Sequence, residues 1–305
     1  MPRSDSRQHS IAVSAALLVT FLWSSSWVLI RVGLDDESLR PVSFAGLRYG
    51  AAAVVLGAWV ATRPRHRAEL RRLGRRDLGL LAVLGLVFYA LTQGAQFVAI
   101  DHQPAATTSL VLSLTPIAVA LTGGRSLAEH SSPRQVSGGV LVAAGAGIYF
   151  GGDLGATAIG MTAAVIGLAA NVASSLLGRL ANRDARLSPT IVTTVSMSIG
   201  AAVLIVAGLA AEGVPEVSER AALIVLWLAV VNTAFAFTLW NVSMRRLAAV
   251  ESAGINNTML IQIAVLAWIF LDEPPGPLGA AGVLIVSVGV FLTQATRRTA
   301  GTPSR

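Results

Sequence analysis

Apolar residues run along this chain in long blocks rather than in stripes. A hydrocarbon core takes about 20 helical residues at roughly 1.5 Å rise each, and block after block reaches that length. The blocks predict helices over 11–33, 41–61, 78–99, 104–123, 135–151, 157–178, 188–210, 221–243, 249–271 and 276–295, here called segments 1 to 10. Strands are the poorer reading, because a membrane barrel alternates apolar and polar residues in runs of about ten. Segment 1 resembles the core of a signal peptide, but it is too long for one and no small-x-small cleavage site stands out, so it reads as a retained helix. The expected fold class is an all-α integral membrane protein with ten transmembrane helices.

Charge places the connections. Only 13% of the 305 residues are charged and 54% are apolar, against about 25% charged in soluble domains. The net charge of +7 could suggest a nucleic-acid partner, but its distribution argues otherwise. Lysine is absent, and with a cytoplasmic N-terminus nineteen of the 23 arginines fall on the inside, seven of them between Arg63 and Arg76. Only Arg40 and Arg220 fall outside, while Arg31 and Arg48 lie within segments. This is the positive-inside bias, and acids such as Asp35, Asp36, Glu37, Glu212 and Glu216 run the other way. The expectation is a multi-pass protein of the inner (plasma) membrane, both termini cytoplasmic, with the basic stretch 62–77 a loop at the lipid headgroups and no nucleic acid bound. His9, His66, His102 and His130 all fall in loops or tails and read as solvated surface. The lack of cysteine excludes disulfides, thiolate metal sites and cysteine nucleophiles.

The chain also repeats itself. Glu129, Pro133, Gly138 and Gly145 recur 144 residues later as Glu273, Pro277, Gly282 and Gly289. Upstream the offset is 143, pairing Phe97 with Trp240, Ala105 with Ala248, Ser109 with Ser252 and Thr115 with Thr258. Five helices per half is an odd number, so the halves must sit upside down relative to one another: two inverted five-helix repeats. Such repeats give two nearly equivalent packings, one open to each side, around a midplane site. Glu129 and Glu273 each precede a helix that starts with proline, which suits a turn; a gating role is the alternative.

Polar groups at membrane depth are costly unless paired or lining water, which makes the few present the candidate chemistry. Arg48 lies well inside segment 2, where snorkelling, a structural bond or an anionic ligand group would each explain it. Trp23 and Trp27 share one face of segment 1 with Arg31, as helix packing or as an aromatic wall. Tyr89, Gln93 and Gln96 form a single stripe on segment 3, expected to face inward. Asn171, Asn232, Trp240, Asn241, Asn256, Asn257 and Gln262 add to the set, with Ser24 to Ser26 as packing glue. Pro116 is expected to kink segment 4 and free a carbonyl for gating. No aspartate or glutamate sits mid-segment, so no carboxylate proton relay is visible. The chain lacks a G-x-x-x-x-G-K loop and so does not power itself by ATP; no metal or cofactor is expected.

Several stretches are similar to the drug/metabolite transporter superfamily, in particular its ten-helix EamA-type members. They are Trp23-Ser24-Ser25-Ser26-Trp27 to Arg31, Phe44-Ala45-Gly46-Leu47-Arg48-Tyr49, Gln96-Phe97-Val98-Ala99-Ile100, Ser109 to Pro116, Leu239-Trp240-Asn241, and Glu273 onward. Met259 stands where the family often has a second proline. The resemblance implies one EamA-like five-helix repeat over 1–151, another over 157–295, and a cytoplasmic tail over 296–305. It implies a secondary-active transporter, most often an exporter, of small metabolites such as amino acids or drug-like compounds, working by alternating access. The site set carried forward is Trp23, Trp27, Arg48, Tyr89, Gln93, Gln96, Asn171, Asn232, Trp240, Asn256 and Asn257 for substrate, with Pro116, Glu129 and Glu273 for gating. The alternative is a non-transporting scaffold or sensor. An intramembrane enzyme is disfavoured, since no nucleophile–base pair or ligand cluster lies at membrane depth. Partners are thus a small-molecule substrate and the lipid bilayer, and the sequence does not speak to oligomeric state.

Overall fold

In this computed structural model the described residues are 2–35, 37, 39–103, 105–115, 118, 119, 122, 133–149, 156–183, 187–247, 249–256, 258–271 and 276–294. Pro116, Glu129, Asn257 and Glu273 lie outside them. Every described element is helical: α1 Pro2–Asp35, α2 Pro41–Thr62, α3 Pro64–Arg71, α4 Arg75–His102, α5 Ala105–Leu112, α6 Pro133–Tyr149, α7 Ala158–Arg183, α8 Pro189–Glu212, α9 Glu219–Ser243, α10 Ala249–Asn256, α11 Thr258–Leu271 and α12 Pro277–Gln294. Six of them are long and apolar enough to cross a membrane, and shorter apolar helices lie in α6, α11 and α12. This is a multi-pass membrane protein. Its outer surface carries exposed Val54, Val206, Leu223, Trp227, Phe270 and Leu284, while Ser24, Ser26, Thr193, Ser196, Asn232 and Asn241 are buried. That polarity suits hydrocarbon outside and hydrogen-bonding partners inside.

Helix starts follow local chemistry. Proline opens α2, α3, α6, α8 and α12, where its missing N–H leaves no donor unbonded. Ser188 and Ser218 cap α8 and α9 by accepting from the N–H groups of Ile191 and Ala221. The start of α2 has no cap of its own. There the Glu212 carboxylate, at the end of α8, accepts from the N–H groups of Val42 at 3.0 Å and Ser43 at 2.7 Å. The Glu69 carboxylate, just past the end of α2, accepts in turn from the Ser188 N–H at the start of α8. The two helices therefore run antiparallel, clamped at both ends by carboxylates at helix N-termini.

Contacts come in pairs that interchange when the halves are swapped. Besides α2 with α8, α6 packs on α12, α1 on α11, and α5 on α7. The α6–α12 contact is reciprocal: a Cβ on Gly145 would lie 2.8 Å from the Gly282 carbonyl oxygen, and one on Gly289 would lie 2.7 Å from that of Gly138. No side chain fits there, so the repeated glycines mark where two backbones touch. Both α4 and α9 widen into π-helix at matching positions, Gly85–Gln93 and Val230–Phe235, a feature frequent at functional sites. In α4 the Thr92 hydroxyl donates to the Val87 carbonyl at 2.8 Å.

Three local expectations change. The stretch 62–77 is not simply a loop, because α3 forms within it. Segment 9 is helical at every described residue, 249–256 and 258–271, and segment 4 is helical over Ala105–Leu112 with a turn at 113–114. His66 is not free surface: its side chain is 18% exposed, 3.8 Å from Glu69, and its ring nitrogen lies 3.5 Å from the Ser188 hydroxyl. His9 keeps a side chain 48% exposed while sitting 3.2 Å from Glu251, a buried acid in the first turn of α10 to which the sequence reading gave no role.

Candidate functional site

Between the helices lies a cavity of about 160 Å³. One wall is aromatic. Trp23 from α1 packs against Phe237 and Trp240 from α9, with ring centroids 4.8 Å and 5.1 Å apart. Phe237 also meets Tyr49 and Tyr89 at 6.2 Å and 5.3 Å. Such tilted and edge-on arrangements are the favoured ones for aromatic pairs.

Arg48 supplies the cavity's charge. It is 3% exposed, yet among the described residues no carboxylate pairs with it. Its Nε donates to the Thr233 hydroxyl at 2.8 Å and its Nη2 approaches the Ser26 hydroxyl at 3.4 Å. The guanidinium also lies 5.2 Å from the Tyr49 ring centroid. The neighbouring Tyr49 hydroxyl donates to Gln93 Oε1 at 2.6 Å. Two successive residues of α2 thus grip the two π-helical stretches, Thr233 in one and Gln93 in the other.

The opposite wall is neutral and polar. Asn171 Nδ2 donates to the Thr115 hydroxyl at 3.1 Å, and the repeat-related Ser109 and Ser252 both line the space. Three lining residues carry a buried polar atom with no hydrogen-bond partner among the described residues: Trp23 Nε1, Asn256 Oδ1 and Ser252 Oγ. Buried polar atoms are nearly always satisfied, so these three are candidate contact points for a bound molecule. Leu84, Gly178, Val192 and Met244 extend the cavity toward the face where α4 and α8 begin. Toward the other face, Leu34, Leu39, Phe44, Phe97 and Ile100 pack into a core. Beyond that core, the Ser218 hydroxyl donates to Glu37 and Arg220 lies 3.5 Å from the same carboxylate.

The cavity brings together Trp23, Trp27, Arg48, Tyr89, Gln93, Gln96, Asn171, Trp240 and Asn256 from the sequence-derived set. Asn232 stands apart from it. Its amide donates to the Leu22 carbonyl, to Ser25 Oγ at 2.9 Å and to Ser26 Oγ at 3.1 Å, joining α9 to α1. Gln262 also bonds between helices: its Oε1 accepts from the Ser24 hydroxyl at 2.9 Å and its Nε2 donates to Thr20 at 3.2 Å. Arg31 pairs with Asp35 at 2.6 Å near the end of α1. Sequence reasoning did not single out Tyr49 or Phe237. Phe237 lies one turn from Trp240 and Asn241, a spacing that could have revealed it.

The sequence profile of the EamA-like transporter family matches residues 10–151 and again 158–294. The chain belongs to the EamA-like transporter family. Among relatives of this EamA-like protein, one from Streptantibioticus cattleyicolor described as a "Probable terminal-alkyne amino-acid exporter" is 27% identical over 303 residues, covering 97% of this chain and 99% of its own. A "Probable amino-acid metabolite efflux pump" of Escherichia coli (strain K12) is 24% identical over 290 residues, covering 91% and 92%. A solved crystal structure superposes with a TM-score of 0.73 at 19% identity, covering 92% of this chain and 96% of that one. At that identity it speaks for the fold alone.

Proposed function

We propose that this EamA-like transporter is a secondary-active exporter of small amino-acid-like metabolites, working by alternating access. The halves that exchange accessibility are residues 1–151 and 157–295, ten membrane helices as two inverted repeats, with both termini and the 296–305 tail in the cytoplasm. The reciprocal glycine contacts and the matched π-helical stretches support that arrangement. Extension of the cavity toward the face where α4 and α8 begin supports a state open toward the cytoplasm, with the Glu37–Ser218–Arg220 cluster on the outside.

One observation carries the substrate assignment: the cavity holds a buried guanidinium without a carboxylate partner among the described residues. A substrate carboxylate supplies the missing anion, since charge-assisted bonds to a guanidinium are the strong ones. The ammonium group of the same substrate donates to Asn256 Oδ1, and its side chain lies on the Trp23–Phe237–Trp240 wall. The amino-acid exporters among the relatives are consistent with this chemistry. Tyr89, Gln93, Gln96, Asn171 and Trp27 complete the proposed substrate contacts, while Asn232 positions α1. Asn257 and the gating roles of Pro116, Glu129 and Glu273 fall outside the described residues and stay part of the proposal.

Counterflow in proteoliposomes tests this reading. Vesicles preloaded with unlabelled phenylalanine or leucine should accumulate the labelled amino acid saturably. The corresponding amides should be taken up at least ~10-fold less efficiently, the factor expected for losing one charged hydrogen bond. Equal transport of acid and amide, or no saturable flux of any probe above protein-free vesicles, refutes it.

A further inference from the structure

The arginine-rich stretch between α2 and α4 is more than a connection. Seven arginines (Arg63, Arg65, Arg67, Arg71, Arg72, Arg75 and Arg76) fall within fourteen residues, against the two carboxylates Glu69 and Asp77. Both acids are occupied by backbone donors. Glu69 accepts the Ser188 N–H of α8, and Asp77 accepts the Gly74 N–H at 3.3 Å. Among the described residues no carboxylate pairs with any of the seven. One acid is held by α8 and the other by the start of its own helix, which leaves the arginines as the charges facing out.

Position then decides the partner. The stretch joins two helices long enough to cross the membrane, so it lies at a membrane face. The Arg63 guanidinium sits 4.4 Å from the Trp59 ring centroid at the end of α2, and Trp59 is 50% exposed. A half-exposed tryptophan at a helix end marks the headgroup level. On α3, His66 and Glu69 turn toward the protein, whereas Leu70 is 41% exposed beside Arg67 and Arg71. An apolar side chain among guanidiniums at this depth suits a lipid surface better than bulk water.

We infer that α3 and its flanking arginines form a docking element for anionic phospholipid headgroups, distinct from the cavity. Each guanidinium near such a surface adds attraction to the phosphates, and a guanidinium can engage a phosphate with two parallel bonds. The element is tied to the transport path through Glu69, because α8 continues from Ser188 to Val192 and Ser196, which line the cavity.

The chain has no cysteine, so Leu70→Cys offers a single labelling site on the full-length protein. A fluorophore there is read in phosphatidylcholine vesicles containing equal fractions of brominated phosphatidylglycerol or brominated phosphatidylcholine as quencher. The anionic lipid should associate about fivefold more strongly or better, a factor of the size one guanidinium contributes at an anionic surface. Combining Arg65→Gln, Arg67→Gln, Arg71→Gln and Arg72→Gln should lower that ratio several-fold. A label at Val214→Cys, 85% exposed in the α8–α9 connection at the opposite end of α8, should show no preference in either background, which separates a local effect from misfolding. Equal quenching by both lipids at position 70 overturns the proposal, as does a preference left undiminished by the four substitutions. So does a label that answers only to soluble polyphosphate, which would make the partner a soluble polyanion.

Discussion

Replacing Arg48 with glutamine should separate binding from folding, and the structure sets the sizes. The bond to Thr233 at 2.8 Å is charge-assisted and contributes about 1.5–3 kcal/mol. The Ser26 contact at 3.4 Å is beyond the usual range and adds little. The Tyr49 ring adds about 0.5–2 kcal/mol. Against these stands the cost of holding a guanidinium at membrane depth, about 2.5–3.5 kcal/mol on insertion scales. The terms nearly cancel, so Arg48→Gln should change the stability of the ligand-free protein by under ~2 kcal/mol. Binding behaves differently. A ligand at 100 times its dissociation constant stabilises by about 2.7 kcal/mol. If losing the guanidinium–carboxylate contact weakens affinity about a hundredfold, the same concentration stabilises by only ~0.4 kcal/mol. Thermal unfolding of detergent-purified protein, with and without phenylalanine, measures both quantities. Arg48→Lys keeps the charge without the planar fork and should fall between. A ligand-free loss above ~4 kcal/mol would make Arg48 a structural strut. Undiminished ligand stabilisation in Arg48→Gln would remove it from the site.

Three further outcomes follow from the packing. Glu212→Gln weakens the carboxylate cap on α2 and should cost about 0.5–2 kcal/mol in thermal unfolding without changing the apparent KM. Gly145→Val forces α6 from α12 and should cost about 1–3 kcal/mol or more, while Gly57→Ala, with nothing within 4 Å of the added carbon, should stay within ~1 kcal/mol of the parent. Asn232→Ala should lower stability by about 0.6–1.7 kcal/mol with substrate affinity held within a few-fold, whereas Asn256→Ala should do the reverse in the same unfolding and flux assays.

Much of the architecture was legible because a bilayer leaves the backbone few choices. Each span must satisfy its own hydrogen bonds, so apolar length alone announced most of the helices. The repeat spacing of Gly138, Gly145, Gly282 and Gly289 was visible in the sequence, but that these glycines bring two backbones together was not. Tyr89, Gln93 and Gln96 were assigned an inward face because polar side chains avoid lipid, and all three line the cavity. The helix within 63–76 was legible in part, since Pro64 opens a run of good helix formers; the charge density masked it. The π-helical widening of α4 and α9 left no mark in the apolar pattern.

What the sequence could not decide was which inward polar residue meets a neighbour and which meets empty space. Asn232 and Asn256 have the same side chain on similar helices, and each has a buried oxygen without a hydrogen-bond partner among the described residues, yet Asn232 donates its amide to Ser25 and Ser26 while Asn256 lines the cavity. Gln262 joins two helices, whereas Gln93, held by the Tyr49 hydroxyl, also lines the cavity. By itself the sequence determined the helical spans and which polar faces avoid lipid, because burial in hydrocarbon is a property of each segment. Only the tertiary structure decided where the cavity lies and that Arg48 enters it without an acid among the described residues, because a hydrogen bond depends on distances of a few ångströms between helices far apart in the chain.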